Sequence, residues 1–140
     1  MSDLSYIDRN IERVRRDIEA AAYSAGRSPG EIRLLAAIKY TTPEQVARLK
    51  DCGITLVGEN RVQQLLDHEK APGLEGFEVH FIGKLQCNKA KYTVGRVSLV
   101  ESLDSLRLAE ELDRCSERAG KITDVLCEIN SGSFYRNSFI

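Results

Sequence analysis

Arg33-Leu34-Leu35-Ala36-Ala37-Ile38 is a nearly continuous apolar run that ends at Lys39-Tyr40-Thr41 and passes straight into Thr42-Pro43-Glu44-Gln45. A short, even run of this kind reads as a strand buried on both faces. The residues after it read as a helix start, with Thr42 as N-cap, Pro43 at N1 and Gln45 at N3 of a capping box. Val46, Leu49 and Lys50 carry that helix to a stop at Gly53. The unit then repeats. Strands are expected at 54–58, 78–83, 97–100 and 124–130. Between them stand a helix from Asn60 to Lys70, a short helix over 88–93, and a helix capped by Asp104 or Ser105 and stopped by Gly120. In that last helix Leu106, Ala109, Leu112, Cys115 and Ala119 share one side.

Upstream, Leu4, Ile7, Ile11, Val14, Ile18, Ala21 or Ala22, and Ala25 recur at steps of three and four, so residues 4–25 form one amphipathic helix. Gly26 stops it, and Ser28-Pro29-Gly30 is a turn. Strands alternating with helices imply parallel pairing through right-handed crossovers. Two α/β architectures fit, a doubly wound open sheet or a (β/α) barrel. No GxGxxG follows any strand and no Gly-Lys-Ser/Thr loop is present, so neither nucleotide-binding signature is met.

Composition narrows the partners. Twenty Lys+Arg against 21 Asp+Glu leave a net charge of −1 over 140 residues. That balance gives no electrostatic footprint for nucleic acid or for an anionic membrane. An apolar fraction of 42% is enough for a core, and the longest apolar stretches are too short for a transmembrane span. The N-terminus, Met1-Ser2-Asp3-Leu4, has no apolar signal segment, so a cytoplasmic location is expected. Cys52, Cys87, Cys115 and Cys127 have no CxxC pair and no zinc spacing, and read as four free thiols. His68 and His80 have no neighbouring ligand pattern, so no metal is expected.

In parallel α/β folds the site forms at the strand C-termini. The residues there are Lys39-Tyr40-Thr41, Gly58-Glu59-Asn60, Gly83-Lys84-Leu85-Gln86, Glu101-Ser102-Leu103-Asp104 and Asn130-Ser131-Gly132. Lys39 stands out, because it ends the most apolar strand after two alanines that leave room beside it. Burial disfavours an ammonium, and a neutral amine is a nucleophile toward aldehydes and can form a Schiff base. The plain alternative is a lysine that extends its head into solvent.

Leu35-Ala36-Ala37-Ile38-Lys39-Tyr40, Val57-Gly58-Glu59-Asn60-Arg61-Val62-Gln63, and Val79-His80-Phe81-Ile82-Gly83-Lys84-Leu85-Gln86-Cys87-Asn88-Lys89 together resemble the pyridoxal phosphate homeostasis protein family. The resemblance extends into Val100-Glu101-Ser102-Leu103-Asp104-Ser105 and covers roughly residues 4–130. The resemblance implies a TIM barrel like the N-terminal domain of alanine racemase, with pyridoxal 5′-phosphate (PLP) as cofactor. It also implies that Lys39 holds PLP as a Schiff base, that Asn60 lies near it, and that His80 and Ile82 line the barrel interior. Pure helix capping by Asn60 and a hydrogen-bonded core His80 are the alternatives. The implied role is vitamin B6 homeostasis, binding PLP and delivering it to apo PLP-dependent enzymes, with no substrate turnover. The runners-up are an inactive truncated fragment and a PLP enzyme of the racemase or decarboxylase kind.

The chain departs from the family at Lys84, where His is usual, at Cys87, where Ser is usual, and at Glu101, where His or Gln is common. After Asn130 the tail Ser131–Ile140 does not resemble the family. The expected organisation is therefore a partial PLP-binding barrel over 1–130 and an atypical tail over 131–140. A full barrel takes eight strands and about 250 residues. Five strands leave the barrel incomplete, with open edges through which a family otherwise mostly monomeric would self-associate.

Overall fold

The computed structural model describes residues 3–70 and 73–129. Helix α1 spans Ser5–Ser24 and is followed by strand β1 (Leu35–Ala37), helix α2 (Pro43–Asp51), β2 (Leu56–Glu59), α3 (Val62–Lys70), β3 (Glu78–Phe81), a 3-10 helix at Cys87–Tyr92, β4 (Leu99–Leu103), α4 (Leu106–Ala119) and β5 (Asp124–Cys127). All five strands run parallel in the order β1-β2-β3-β4-β5. A doubly wound sheet reverses its strand order at a switch point, whereas a barrel adds each strand beside the last. The consecutive order therefore fixes the architecture as four β-α units and a fifth strand of the barrel type.

Local chemistry accounts for the boundaries. Thr42 and Gln45 form the expected capping box, with Thr42 N–H donating to Gln45 Oε1 at 2.7 Å and Gln45 N–H to Thr42 Oγ1 at 3.3 Å. Ser28 and Glu31 form a second one, over a single 3-10 turn. Ser105, not Asp104, caps α4 by accepting from Leu108 N–H, and Gly120 closes that helix in the left-handed conformation at φ 61°.

The helix-facing side of the sheet holds the core. Ile38, Val57 and Val79 pack with Ile7, Ile11, Val46 and Leu65. Phe81 and Val100 pack with Val62, Leu108, Leu112 and Cys115. On α1 only Ile7, Ile11 and Ala22 of the expected stripe are buried. On α4 the stripe is Leu108, Leu112, Cys115 and Ser116, and Leu106 is exposed, which corrects the expected face. The opposite, concave side carries Leu35, Gly58 and Ile82, since a Cβ on Gly58 would meet Leu35 Cδ2 at 2.6 Å and Ile82 Cδ1 at 2.7 Å. This side lacks a lid of further strands among the described residues. Ala37 and Leu126 are accordingly exposed.

Strand β4 runs on to Leu103 instead of stopping at Val100, with a register irregularity against β5 between those residues. Strand β5 ends at Cys127, and Asn130 and the expected tail lie outside the described residues.

Candidate functional site

Strand β1 ends where Ile38 N–H donates to Gly58 O at 3.0 Å. The chain then turns over Ile38–Thr41, with the Ile38 carbonyl accepting both Thr41 N–H at 3.3 Å and Thr41 Oγ1 at 2.6 Å. Lys39 lies in this turn and is exposed. The expectation of a desolvated lysine is not met. Two alanines leave room beside it, but dryness needs atoms on the far side of the concave face, and five strands do not supply them.

Register places the other residues. Ala37 pairs with Gly58, Gly58 with His80, and His80 with Leu99. Two residues further along each strand come Lys39, Asn60, Ile82 and Glu101. Lys39 lies in the turn after β1, Asn60 and Ile82 directly follow β2 and β3, and Glu101 lies within β4, so all four stand toward the C-terminal ends of consecutive strands. His80 pairs with Gly58, which pairs with Ala37, within the sheet itself.

Asn60 is not a helix cap. Helix α3 starts at Val62, and Asn60 Oδ1 is buried with no hydrogen-bond partner. Its main chain is crowded by Gly83, where a Cβ would stand 2.7 Å from the Asn60 carbonyl carbon. The neighbouring Glu59 is fully buried on the helix side of β2 and bonded to His68 Nδ1 of α3, and its Oε2 has no partner. Burial pushes the Glu59 carboxyl up from its usual range, and the His68 bond pulls the other way.

His80 is 6% exposed, with Nδ1 2.6 Å from Glu101 Oε1 and Nε2 3.0 Å from Glu78 Oε1. Glu78 is paired in turn with Arg33, whose Nη1 donates to its Oε1 at 3.3 Å. A line Arg33–Glu78–His80–Glu101 therefore crosses the concave face. Both ring nitrogens are occupied by carboxylates, so His80 is a held histidine with no nitrogen left for a ligand.

The Arg33 guanidinium, and after it the His80 bond, hold the Glu78 carboxyl down at about 2. A carboxyl depressed in the fold contributes stability above its unfolded value near 4.5 and loses it as pH falls toward 2. Glu78→Gln is accordingly expected to lower stability above about pH 4.5 and to flatten the acid limb below it, the variant and parent curves converging as pH falls toward 2. Chemical denaturation across pH 2–5 checks it, and an unaltered acid limb would refute the assignment.

Reading the sequence alone missed Arg61 and Glu78 as members of this region, and gave Tyr40 and Glu101, which stand in the strand-end segments, no role of their own. Their signal is pairwise and comes only through register. Among the described residues no cluster of three or more His, Cys, Asp or Glu side chains is placed to hold a metal, and no helix is long and apolar enough to cross a membrane. The four cysteines are free thiols.

No family model matches the chain. Individual proteins do. The pyridoxal phosphate homeostasis protein of Aquifex aeolicus is 40% identical over 122 residues, which is 87% of this chain and 54% of that protein. Its counterpart in Escherichia coli K12 is 37% identical over 135 residues, 93% of this chain and 56% of that one. A crystal structure of an unknown protein from Bifidobacterium adolescentis superposes with a TM-score of 0.84 at 31% identity, covering 99% of this chain and 61% of that one. PipY of Synechococcus elongatus, solved with PLP bound, gives a TM-score of 0.69 at 27% identity over 88% of this chain and 57% of PipY. The chain spans about half the length of the curated relatives it matches. Over that span it is similar to the proteins of the pyridoxal phosphate homeostasis family.

Proposed function

We propose that these five strands and the helices between them carry the covalent end of a PLP site, that Lys39 is the attachment residue, and that the chain serves vitamin B6 homeostasis by holding the cofactor rather than by turning over a substrate. Bound PLP supplies an electrophilic aldehyde. What supports the reading is that Lys39, Asn60 and Ile82 directly follow the C-terminal ends of the adjacent parallel strands β1, β2 and β3. Lys39 brings an accessible primary amine. Asn60 brings a buried amide oxygen without a partner, a vacancy that native interiors rarely leave unless a donor arrives. Ile82 closes the floor over Gly58. His80 supports Glu101 and the strand pair and makes no direct contact in this reading.

Racemase-type chemistry needs a second acid or base on the opposite cofactor face. The relatives are named for homeostasis, which favours the holding role. Apo PLP-dependent enzymes as recipients and a cytoplasmic setting belong to the same proposal, the latter supported by the free thiols.

The test is direct. The chain is incubated with PLP and reduced with borohydride, and the modified peptide is identified by mass spectrometry. The expected product is a single adduct on Lys39, absent from Lys39→Ala. An adduct that persists in Lys39→Ala, or none in the parent chain, sinks the proposal.

A further inference from the structure

Tyr40 is the one non-glycine residue with positive φ among the described residues, at 60°. A bulky side chain in the left-handed region is strained, and such strain persists only where the surroundings fix it. Here both flanks are fixed. Thr41 is bonded twice to the Ile38 carbonyl, and Thr42 is locked in its capping box. Tyr40 is 71% exposed, so no apolar pocket encloses it. Its partner is the guanidinium of Arg61, which stands 5.6 Å from the ring centroid. Arg61 directly follows Asn60, and Tyr40 directly follows Lys39. We propose that Tyr40 and Arg61 form a clamp between the β1 and β2 turns that positions Lys39 beside Asn60. Both are positioning residues, and the consequence for cofactor capture rests on the attachment role proposed for Lys39.

The left-handed residue turns the main chain away immediately after Lys39, in the turn that follows β1. The ring–guanidinium contact then ties that turn to the entry of α3. A planar guanidinium stacks on an aromatic face in a way an ammonium does not, so Arg61→Lys is expected to weaken the clamp and Tyr40→Phe to preserve it.

Two measurements on the full chain decide it. The first needs no cofactor: amide exchange at Thr41, whose N–H closes the turn. Arg61→Ala and Tyr40→Ala are expected to speed it about two- to five-fold, the scale of an exposed cation–π pair, with Tyr40→Phe unchanged. The second is the rate of borohydride-trapped adduct formation on Lys39 with PLP and with pyridoxal, which lacks the phosphate. The clamp predicts the same fall with both aldehydes in Arg61→Ala and Tyr40→Ala. Unchanged Thr41 exchange in a natively folded Arg61→Ala overturns the proposal, and so does a fall confined to PLP, which would make Arg61 a phosphate ligand instead. If the parent chain captures neither aldehyde, the attachment role fails, and the exchange arm still decides the clamp.

Discussion

Gly83→Ala is expected to destabilise the chain by about 3 kcal/mol or more, at the upper end of what overpacking a tight site costs. The backbone after β3 passes so close to β2 that a single added Cβ would lie on the Asn60 carbonyl oxygen, 2.7 Å from its Cα. Neither segment has room to yield. Ile82 N–H donates to Glu59 O at 2.8 Å, and the Gly83 carbonyl accepts Ser102 Oγ at 2.5 Å from the β4 side. Relief therefore means breaking one of these bonds or displacing Asn60. Adduct formation on Lys39 should fall together with stability. Two other glycines calibrate the effect. At Gly58 the obstacles are the flexible ends of Leu35 and Ile82, so alanine costs less there. At Gly30 the nearest atom is Ser28 Oγ at 3.6 Å, ordinary contact, and alanine is close to neutral. Urea denaturation of the three variants ranks them. A Gly83→Ala midpoint equal to that of Gly30→Ala would show that the two turns separate freely.

Much of this architecture is local and therefore legible in one dimension. Thr42 and Gln45 lie three residues apart and cap whatever the rest of the chain does, and Gly120 takes the left-handed cap that its missing Cβ allows. The same holds for the alternation of short apolar runs with helices, which implied parallel pairing. What sequence order does not encode is which strand lies beside which, and the choice between open sheet and barrel depended on that. Polar letters also misled. Glu101 and Ser102 interrupt an apolar run, so β4 reads as ending at Val100, yet Glu101 continues the strand because His80 across the sheet receives its carboxylate. The site shows the same division. Lys39, Asn60 and Ile82 follow the ends of adjacent strands. The dryness of Lys39 is a property of what stands opposite, and a strand cannot carry that information in its own residues. Tyr40 gives no warning of its φ, since the residue types that favour that region are glycine and asparagine.

His68→Ala is expected to cost about 3 kcal/mol at pH 7.5 and much less at pH 4.5. The reason lies in Glu59, which has no exposed surface, and in His68, the single hydrogen-bond partner of its carboxylate among the described residues. Removing one member of a buried pair leaves an uncompensated charge, and such losses run to about 3–5 kcal/mol. Glu59 limits the damage by keeping its proton. Burial already raises its carboxyl above the ordinary value of 4.5, and the two influences that lower it both come from His68. Without His68 the folded-state value rises further. A carboxyl raised in the fold stabilises below its unfolded value, and that stability is lost as pH climbs toward the folded one. The penalty in His68→Ala must therefore grow from about pH 4.5 upward, opposite in sign to the acid limb assigned to Glu78. Glu59→Gln in the same background removes the charge and keeps the shape, so the double variant should recover most of the loss at pH 7.5 and lose the pH dependence. Denaturation midpoints of the parent chain, His68→Ala and the double variant at pH 4.5 and 7.5 supply the comparison. An equal penalty at both pH values would mean that α3 is held by packing of the imidazole alone, and the buried pair would have no electrostatic role in fixing the β2 end of the site.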